Sequence, residues 1–118
     1  MTKLSCGPGR TKVTNLTTMI VLIELKEGVS QEDYERWTLE SYAPAARSLT
    51  SVQEWRNYRV DGVLGSEDTV PPYRYVVTVE IDDLEQLGRD MSSEEMQRLL
   101  SELHRFAEVT QMMSERFV

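Results

Sequence analysis

The sequence predicts an α+β fold, in which one antiparallel sheet of four strands carries two helices on one of its faces. The hydrophobic pattern supports this prediction, because it changes several times along the chain between a strand-like and a helix-like period. Length supports it too, since 118 residues are enough for a single domain with one core. The composition is that of a folded chain, with 40% hydrophobic and 28% charged residues.

The first half of the chain predicts a strand, a helix and a second strand. Residues 18–25 are β-branched and almost continuously apolar, as in a strand covered on both faces. Ser30, followed three residues later by Asp33, is a typical helix start. We expect this helix to run to about Tyr42, because Pro44 disfavours helical geometry in the residue before it. The second strand is predicted at residues 52–60.

The second half predicts a strand, two helical segments and a last strand. Residues 73–81 alternate between two sets of side chains, residues 82–88 form a short helical turn, and residues 93–107 carry an apolar stripe at helical spacing. The last strand is predicted at residues 109–117. The resulting order, β-α-β-β-α-β, is the ferredoxin-like arrangement. We expect one domain at residues 17–118 and a flexible leader at residues 1–16, which has no periodic pattern.

Apolar side chains occur at both odd and even positions of the strands, so both faces of the sheet need a cover. The helices cover one face. The sheet of a second, symmetry-related subunit is the simplest cover for the other, which predicts a homodimer. The alternative is a monomer with one sheet face in water.

Charge and cysteine content limit the partners and the compartment. The net charge of −7 has no basic stripe to offset it, so we expect no nucleic acid and no anionic membrane as partner. The apolar run at residues 19–23 is too short to span a bilayer. A single cysteine fits a reducing compartment, and we expect a cytoplasmic protein.

Metal and nucleotide sites are not expected. One cysteine and one histidine cannot supply the converging ligands of a zinc site, and no carboxylate cluster has the spacing to replace them. No glycine-rich nucleotide signature is present. We therefore expect chemistry without a cofactor.

Two residues are candidates for proton transfer. His104 is the only side chain whose ordinary pKa lies near neutrality, and it flanks the apolar stripe of the last helix. Glu24 is a charge at an apparently buried position, where it would act as a base or pair with an arginine. A surface histidine and a salt bridge at the sheet edge are the simpler alternatives.

Aromatic residues and arginines predict the ligand. Seven of the nine aromatic residues concentrate on the first helix and on two strands, at Tyr34, Trp37, Tyr42, Trp55, Tyr58, Tyr73 and Tyr75. Such a wall suits a flat aromatic ligand, although core packing would also explain most of these side chains. Arg56, Arg59 and Arg74 are placed to bind a carboxylate through two parallel hydrogen bonds. From these sets we select Tyr34, Trp37, Trp55, Tyr58, Tyr75, Arg56 and Arg74 as substrate-binding candidates.

Several short motifs resemble those of a known superfamily. Tyr34-Glu35-Arg36-Trp37, Tyr42-Ala43-Pro44, Leu49-Thr50-Ser51-Val52 and Trp55-Arg56-Asn57-Tyr58-Arg59-Val60 are similar to segments of the dimeric α/β-barrel superfamily. In its EthD-type branches a Y-x-x-W helix leads to an H-x-P motif, and Tyr42 stands here at the histidine position. Over residues 18–118 the sequence most resembles the REDY-like (HapK) group of bisindole and prodigiosin-type biosynthesis.

The resemblance implies a homodimer with one pocket per subunit, between the helices and the sheet. It also implies cofactor-independent chemistry on a polycyclic aromatic intermediate, such as carbinolamide formation from a carboxylic acid, with Tyr42 added to the candidate catalytic residues. Three functions remain open: a cofactor-free enzyme that promotes cyclisation or dehydration of an indole-type acid, a cofactor-free monooxygenase, and a protein that binds a reactive intermediate without converting it.

Overall fold

The computed structural model describes residues 16–118, and its elements follow the predicted order. They are β1 (Thr17–Leu25), α1 (Gln31–Trp37), a π-helical turn (Thr38–Tyr42), α2 (Ala43–Arg47), β2 (Val52–Arg59), β3 (Tyr75–Ile81), α3 (Leu84–Met91), α4 (Glu94–Phe106) and β4 (Ala107–Glu115). The predicted leader lies outside the described residues, apart from Leu16.

All strand pairs are antiparallel, and the strands lie in the order β2-β3-β1-β4. This topology confirms the α+β, ferredoxin-like prediction. Side chains alternate between the two faces of a strand. On β1 and β3 the buried residues all fall on one face, where Val21 lies opposite Val77 and Ile23 lies opposite Tyr75. The helices cover this face with Tyr34, Met96, Leu99 and Leu103.

The first helical segment starts as predicted but ends later. The backbone N–H of Asp33 donates to the Ser30 hydroxyl at 3.0 Å, which confirms Ser30 as the cap. The predicted end near Tyr42 is wrong, because the chain stays helical to Arg47. Proline is tolerated at the first positions of a helix, and Pro44 occupies such a position in α2, directly after the π-helical turn.

In the second half of the chain, one helical segment is longer than predicted. The turn expected at residues 82–88 is the helix α3, which Asp83 caps by accepting from the backbone N–H of Gln86 at 3.1 Å. Asp90 fastens this helix to the start of β2, since its carboxylate accepts from the Ser51 hydroxyl at 2.8 Å and from the Ser51 backbone N–H at 3.2 Å.

The other face of the sheet, which we call the open face, has no fully buried side chain in residues 16–118. Its centre is apolar and half-buried, with Ile20 and Leu22 on β1 beside Val76 on β3. Tyr58 and Met112 extend this apolar area and are exposed. Among the described residues, no helix is long and apolar enough to cross a membrane.

Candidate active site

A cleft of about 360 Å³ lies on the helix side of the sheet, between the first helical segment and the ends of β2 and β3. Helix residues three or four apart share a face, as do strand residues two apart. These spacings bring its lining side chains together: Tyr34, Glu35, Thr38 and Leu39 from the helical segment, Asn57 and Arg59 from β2, and Tyr75 from β3. The cleft therefore forms where one face of the helical segment meets one face of β2 and β3.

The charged groups of the cleft form one hydrogen-bonded set. The Glu35 carboxylate accepts from Nε and Nη2 of Arg59, each at 2.7 Å, so the two side chains meet in a forked ion pair. The Tyr75 hydroxyl donates to the same carboxylate at 2.6 Å. Glu35 therefore joins the helix to both strands of the cleft wall.

These contacts fix the protonation states of the wall at neutral pH. The hydrogen bonds from Arg59 and Tyr75 lower the pKa of Glu35 to about 2. Burial and the hydrogen bond to Glu35 raise the pKa of Tyr75, and burial raises the pKa of Tyr34. The cleft thus presents a carboxylate, a guanidinium and two neutral phenols, and none of its lining side chains exchanges a proton near pH 7.

Deeper in the cleft, Asn57 and Tyr34 form a neutral polar pair. Asn57 Nδ2 donates to the Tyr34 hydroxyl at 3.3 Å. Asn57 Oδ1 is buried and has no hydrogen-bond partner among the described residues. A buried acceptor left without a partner costs about 1–3 kcal/mol, so this oxygen needs a partner that the protein does not supply.

The predicted aromatic wall divides into two parts. Tyr34 and Tyr75 line the cleft, with ring centroids 4.6 Å apart, and both are almost fully buried, at 0% and 3% exposed. Of the other aromatic candidates on this side, Tyr42 and Trp55 are buried in the core, and Trp37 is half-buried against it. Trp37 stacks on Tyr42 at 5.1 Å, and Tyr42 meets the edge of Trp55 at 5.4 Å.

Three substrate-binding candidates point away from the cleft. Tyr58 lies on the open face, where it is 48% exposed. Arg56, on the same face, pairs with Glu54. The Arg74 guanidinium donates to the Val60 carbonyl at 3.4 Å. Of the three arginines considered from sequence, Arg59 is the one that lines the cleft.

The three catalytic candidates do not meet in the cleft either. His104 is exposed on α4, and its backbone carbonyl accepts from Lys26 Nζ at 2.6 Å. Tyr42 is buried among aromatic rings, and this burial raises its pKa to about 12. The expectation that Glu24 is buried is wrong, because it is exposed at the end of β1, opposite Glu108. Glu24 has the same strand parity as Ile20 and Leu22, so its side chain lies on the open face, which the apolar run alone did not indicate.

Four residues that line the cleft were not predicted from the sequence: Glu35, Thr38, Leu39 and Asn57. The alternation of side chains along β2 could have indicated Asn57. Trp55 is large and apolar, so it points to the core, and residues two and four positions later, Asn57 and Arg59, share its face. The same rule places Tyr58 on the opposite face.

A second cleft of about 680 Å³ lies beside the C-terminal residues 116–118. It is the larger of the two, but its walls are mostly exposed side chains such as Gln53, Glu54 and Phe117. The smaller cleft has buried aromatic walls and converging polar groups, which are the usual features of a ligand site. Among the described residues, no group of three or more His, Cys, Asp or Glu side chains is arranged to hold a metal ion.

The family is shown by a sequence comparison. Residues 17–117 match the family model described as REDY-like protein HapK. The chain belongs to the REDY-like HapK family. A search of curated proteins finds no match.

Solved structures show the same fold. HapK from Hahella chejuensis has 24% sequence identity and a TM-score of 0.70, over 86% of this chain and 92% of that one. A variant of SnoaB, a cofactor-independent oxygenase from Streptomyces nogalater, has 12% identity and a TM-score of 0.68, over 88% and 95% of the two chains. A dimeric ferredoxin-like protein of unknown function from Thermobifida fusca has 10% identity and a TM-score of 0.67, over 86% and 91%.

Proposed function

We propose that this member of the HapK family is a cofactor-free enzyme of bacterial secondary metabolism. Its substrate is an aromatic carboxylic acid of the indole or bisindole type that also carries a nitrogen nucleophile. In the proposed ring closure, such as carbinolamide formation, this nitrogen forms a bond to the carboxyl carbon, the C–OH bond breaks, and the hydroxyl leaves with a proton from the nitrogen as water. The observation that carries the proposal is the pairing of an aromatic wall, Tyr34 and Tyr75, with the Arg59 guanidinium in one cleft.

The cleft suits one bicyclic ring system that bears a carboxylate. A volume of about 360 Å³ lies at the small end of the range for ligand pockets. Arg59 uses two N–H groups on Glu35, and a guanidinium has five, so three remain for a ligand carboxylate. Glu35 holds Arg59 in place and stays ionised, which makes it a positioning residue and not a base.

The cleft contributes to catalysis by orientation and by hydrogen bonding to a carbonyl. The Arg59 side chain is 54% exposed and is held in place by Glu35, so its remaining N–H groups can donate to a substrate oxygen. A fixed donor of this kind stabilises negative charge that develops on a carbonyl oxygen during ring closure. A catalytic role for His104 remains a prediction, and unchanged turnover in a His104→Ala variant would remove it.

Two alternatives have specific support. The fold is shared with SnoaB, a cofactor-independent oxygenase, so a monooxygenase that uses an electron-rich substrate to activate oxygen is the second candidate. The third is a binding protein that shields a reactive intermediate, which agrees with a cleft wall that exchanges no proton near neutral pH.

The test is incubation of the purified protein with indole-type carboxylic acids that carry a side-chain nitrogen able to close a ring on the carboxyl group, in air and under argon. The proposed enzyme forms a dehydrated product equally well in both. Turnover that requires air supports the oxygenase, and binding without turnover supports the shielding protein; either result contradicts the proposal. Arg59→Met should weaken acid binding by about tenfold or more, since a charge-assisted hydrogen-bonded pair is lost. Arg56→Met is the matched control on the open face and should bind as the wild type does.

The proposed assembly is a homodimer in which the open faces of two copies pack together. Its support is the half-buried apolar patch of Ile20, Leu22 and Val76, together with the dimeric state given for the Thermobifida fusca structure. Each subunit then keeps its own cleft on the helix side.

A further inference from the structure

The unpartnered oxygen of Asn57 gives information about the ligand. Asn57 Oδ1 is the one buried side-chain nitrogen or oxygen in residues 16–118 that makes no hydrogen bond. It belongs to a side chain that lines the cleft, between the aromatic ring of Tyr34 and the charged pair at Arg59. Buried acceptors in folded proteins are almost always paired, so the missing partner is expected to enter with the ligand. The oxygen has almost no exposed surface, so the ligand must displace a side chain that covers it.

The hydrogen bond between Asn57 and Tyr34 determines which kind of ligand group can pair with Oδ1. Asn57 Nδ2 already donates to the Tyr34 hydroxyl, which leaves Oδ1 as the free end of the amide. A carbonyl oxygen can only accept a hydrogen bond. The ligand must therefore bring a donor.

We propose that Asn57 is a specificity-determining residue that selects ligands carrying an N–H or O–H donor on the aromatic ring system. The inference rests on the proposed function, because it assumes that the substrate occupies this cleft. The ring donor binds Asn57 Oδ1 while the carboxylate binds Arg59, so the two polar contacts fix the ring in one orientation. Ligands of equal size without the donor leave the oxygen unpaired and bind more weakly.

The test compares two acids that differ in one ring atom, indole-2-carboxylic acid and benzofuran-2-carboxylic acid. They share shape and carboxylate, but the first has a ring N–H where the second has an oxygen. Titration calorimetry on the wild type should show about tenfold or greater preference for the indole acid. Asn57→Leu should abolish this preference. Asn57→Asp keeps an acceptor oxygen and should retain the preference, and Gln53→Leu, on the exposed part of the same strand, should behave as the wild type.

Each result decides between the two proposals. Equal binding of both acids to the wild type overturns the role of Asn57 and leaves the proposed function intact. A preference for the benzofuran acid, or a preference that survives in Asn57→Leu, also overturns it. Failure of both acids to bind contradicts the proposed function itself. If Asn57→Leu does not fold, which near-ultraviolet circular dichroism would show, Asn57→Ala takes its place, because it also removes the acceptor oxygen and should bind both acids equally.

Discussion

The two faces of the sheet have similar apolar residues and opposite surroundings. On β1, Ile23 is buried beneath the helices, whereas Ile20, three residues earlier, lies half-buried on the open face. On β3 the buried Val77 and Val79 alternate with the half-buried Val76. Hydrophobicity therefore marks both faces as surfaces that need a cover, and the described residues supply a cover for the helix side only.

The comparison also explains where the cleft lies. On the helix side, the side chains between the Ile81 end of β3 and Trp55 on β2 are packed in the core. This core packing ends farther along β2, at Asn57 and Arg59. Asn57 and Arg59 are polar, although they lie on the same face of β2 as the buried Trp55. The cleft is the part of the covered face where packing gives way to hydrogen bonding.

The largest expected effect is on the core of the covered face. Ile23→Ala should lower the free energy of unfolding by about 2–5 kcal/mol, because it leaves a cavity in a fully buried site. The control is Ile20→Ala on the open face, which should lower the free energy of unfolding clearly less. Urea unfolding at protein concentrations that favour the monomer measures both variants. Equal losses at that concentration would mean that the two faces do not differ in the isolated subunit.

The next effect concerns the association of two subunits. Leu22→Glu should weaken the proposed dimer by about 100-fold, since a charge without a partner would be buried between the sheets. Sedimentation velocity over a concentration series measures this change, with circular dichroism to show that the variant is folded. Leu84→Glu, at an exposed position of α3, is the control and should associate as the wild type does. A wild type that sediments as a monomer at every concentration would contradict the homodimer.

The smallest effect is the pH dependence of the charged set in the cleft. The folded state lowers the pKa of Glu35 from 4.5 to about 2, so the ionised carboxylate stabilises the fold above pH 4.5. That contribution should disappear as the pH falls from about 4.5 to about 2. Glu35→Gln should lack this contribution at every pH, so its free energy of unfolding should be about 1 kcal/mol lower than that of the wild type at pH 7.

Urea unfolding of the wild type and Glu35→Gln from pH 7 to pH 2 measures the difference. The two stability curves should converge at low pH. Glu32→Gln, whose side chain is 86% exposed on the same helix, should follow the wild-type curve. Parallel curves for the wild type and Glu35→Gln would show that the hydrogen bonds of Glu35 contribute no pH-dependent stability.

The sequence predicted the fold better than the site. Periods of two and 3.6 residues repeat over whole elements, so small errors at the ends, such as the late end at Arg47, leave the topology unchanged. A site depends on which face each single residue occupies. Trp55 and Tyr58 are both aromatic but three residues apart on one strand, so they lie on opposite faces, and composition alone could not separate Arg56 from Arg59.

The π-helical turn lies at the edge of the cleft and separates the roles of two of its residues. A π turn holds more residues than an α turn, and here it lets Tyr42 reach the aromatic core while Leu39 stays 73% exposed at the edge of the cleft. A side chain that projects into solvent can be exchanged for a longer, shorter or polar one with little effect on folding. The width of the entrance is thus adjustable by substitution at one position, while the aromatic packing beneath it remains intact.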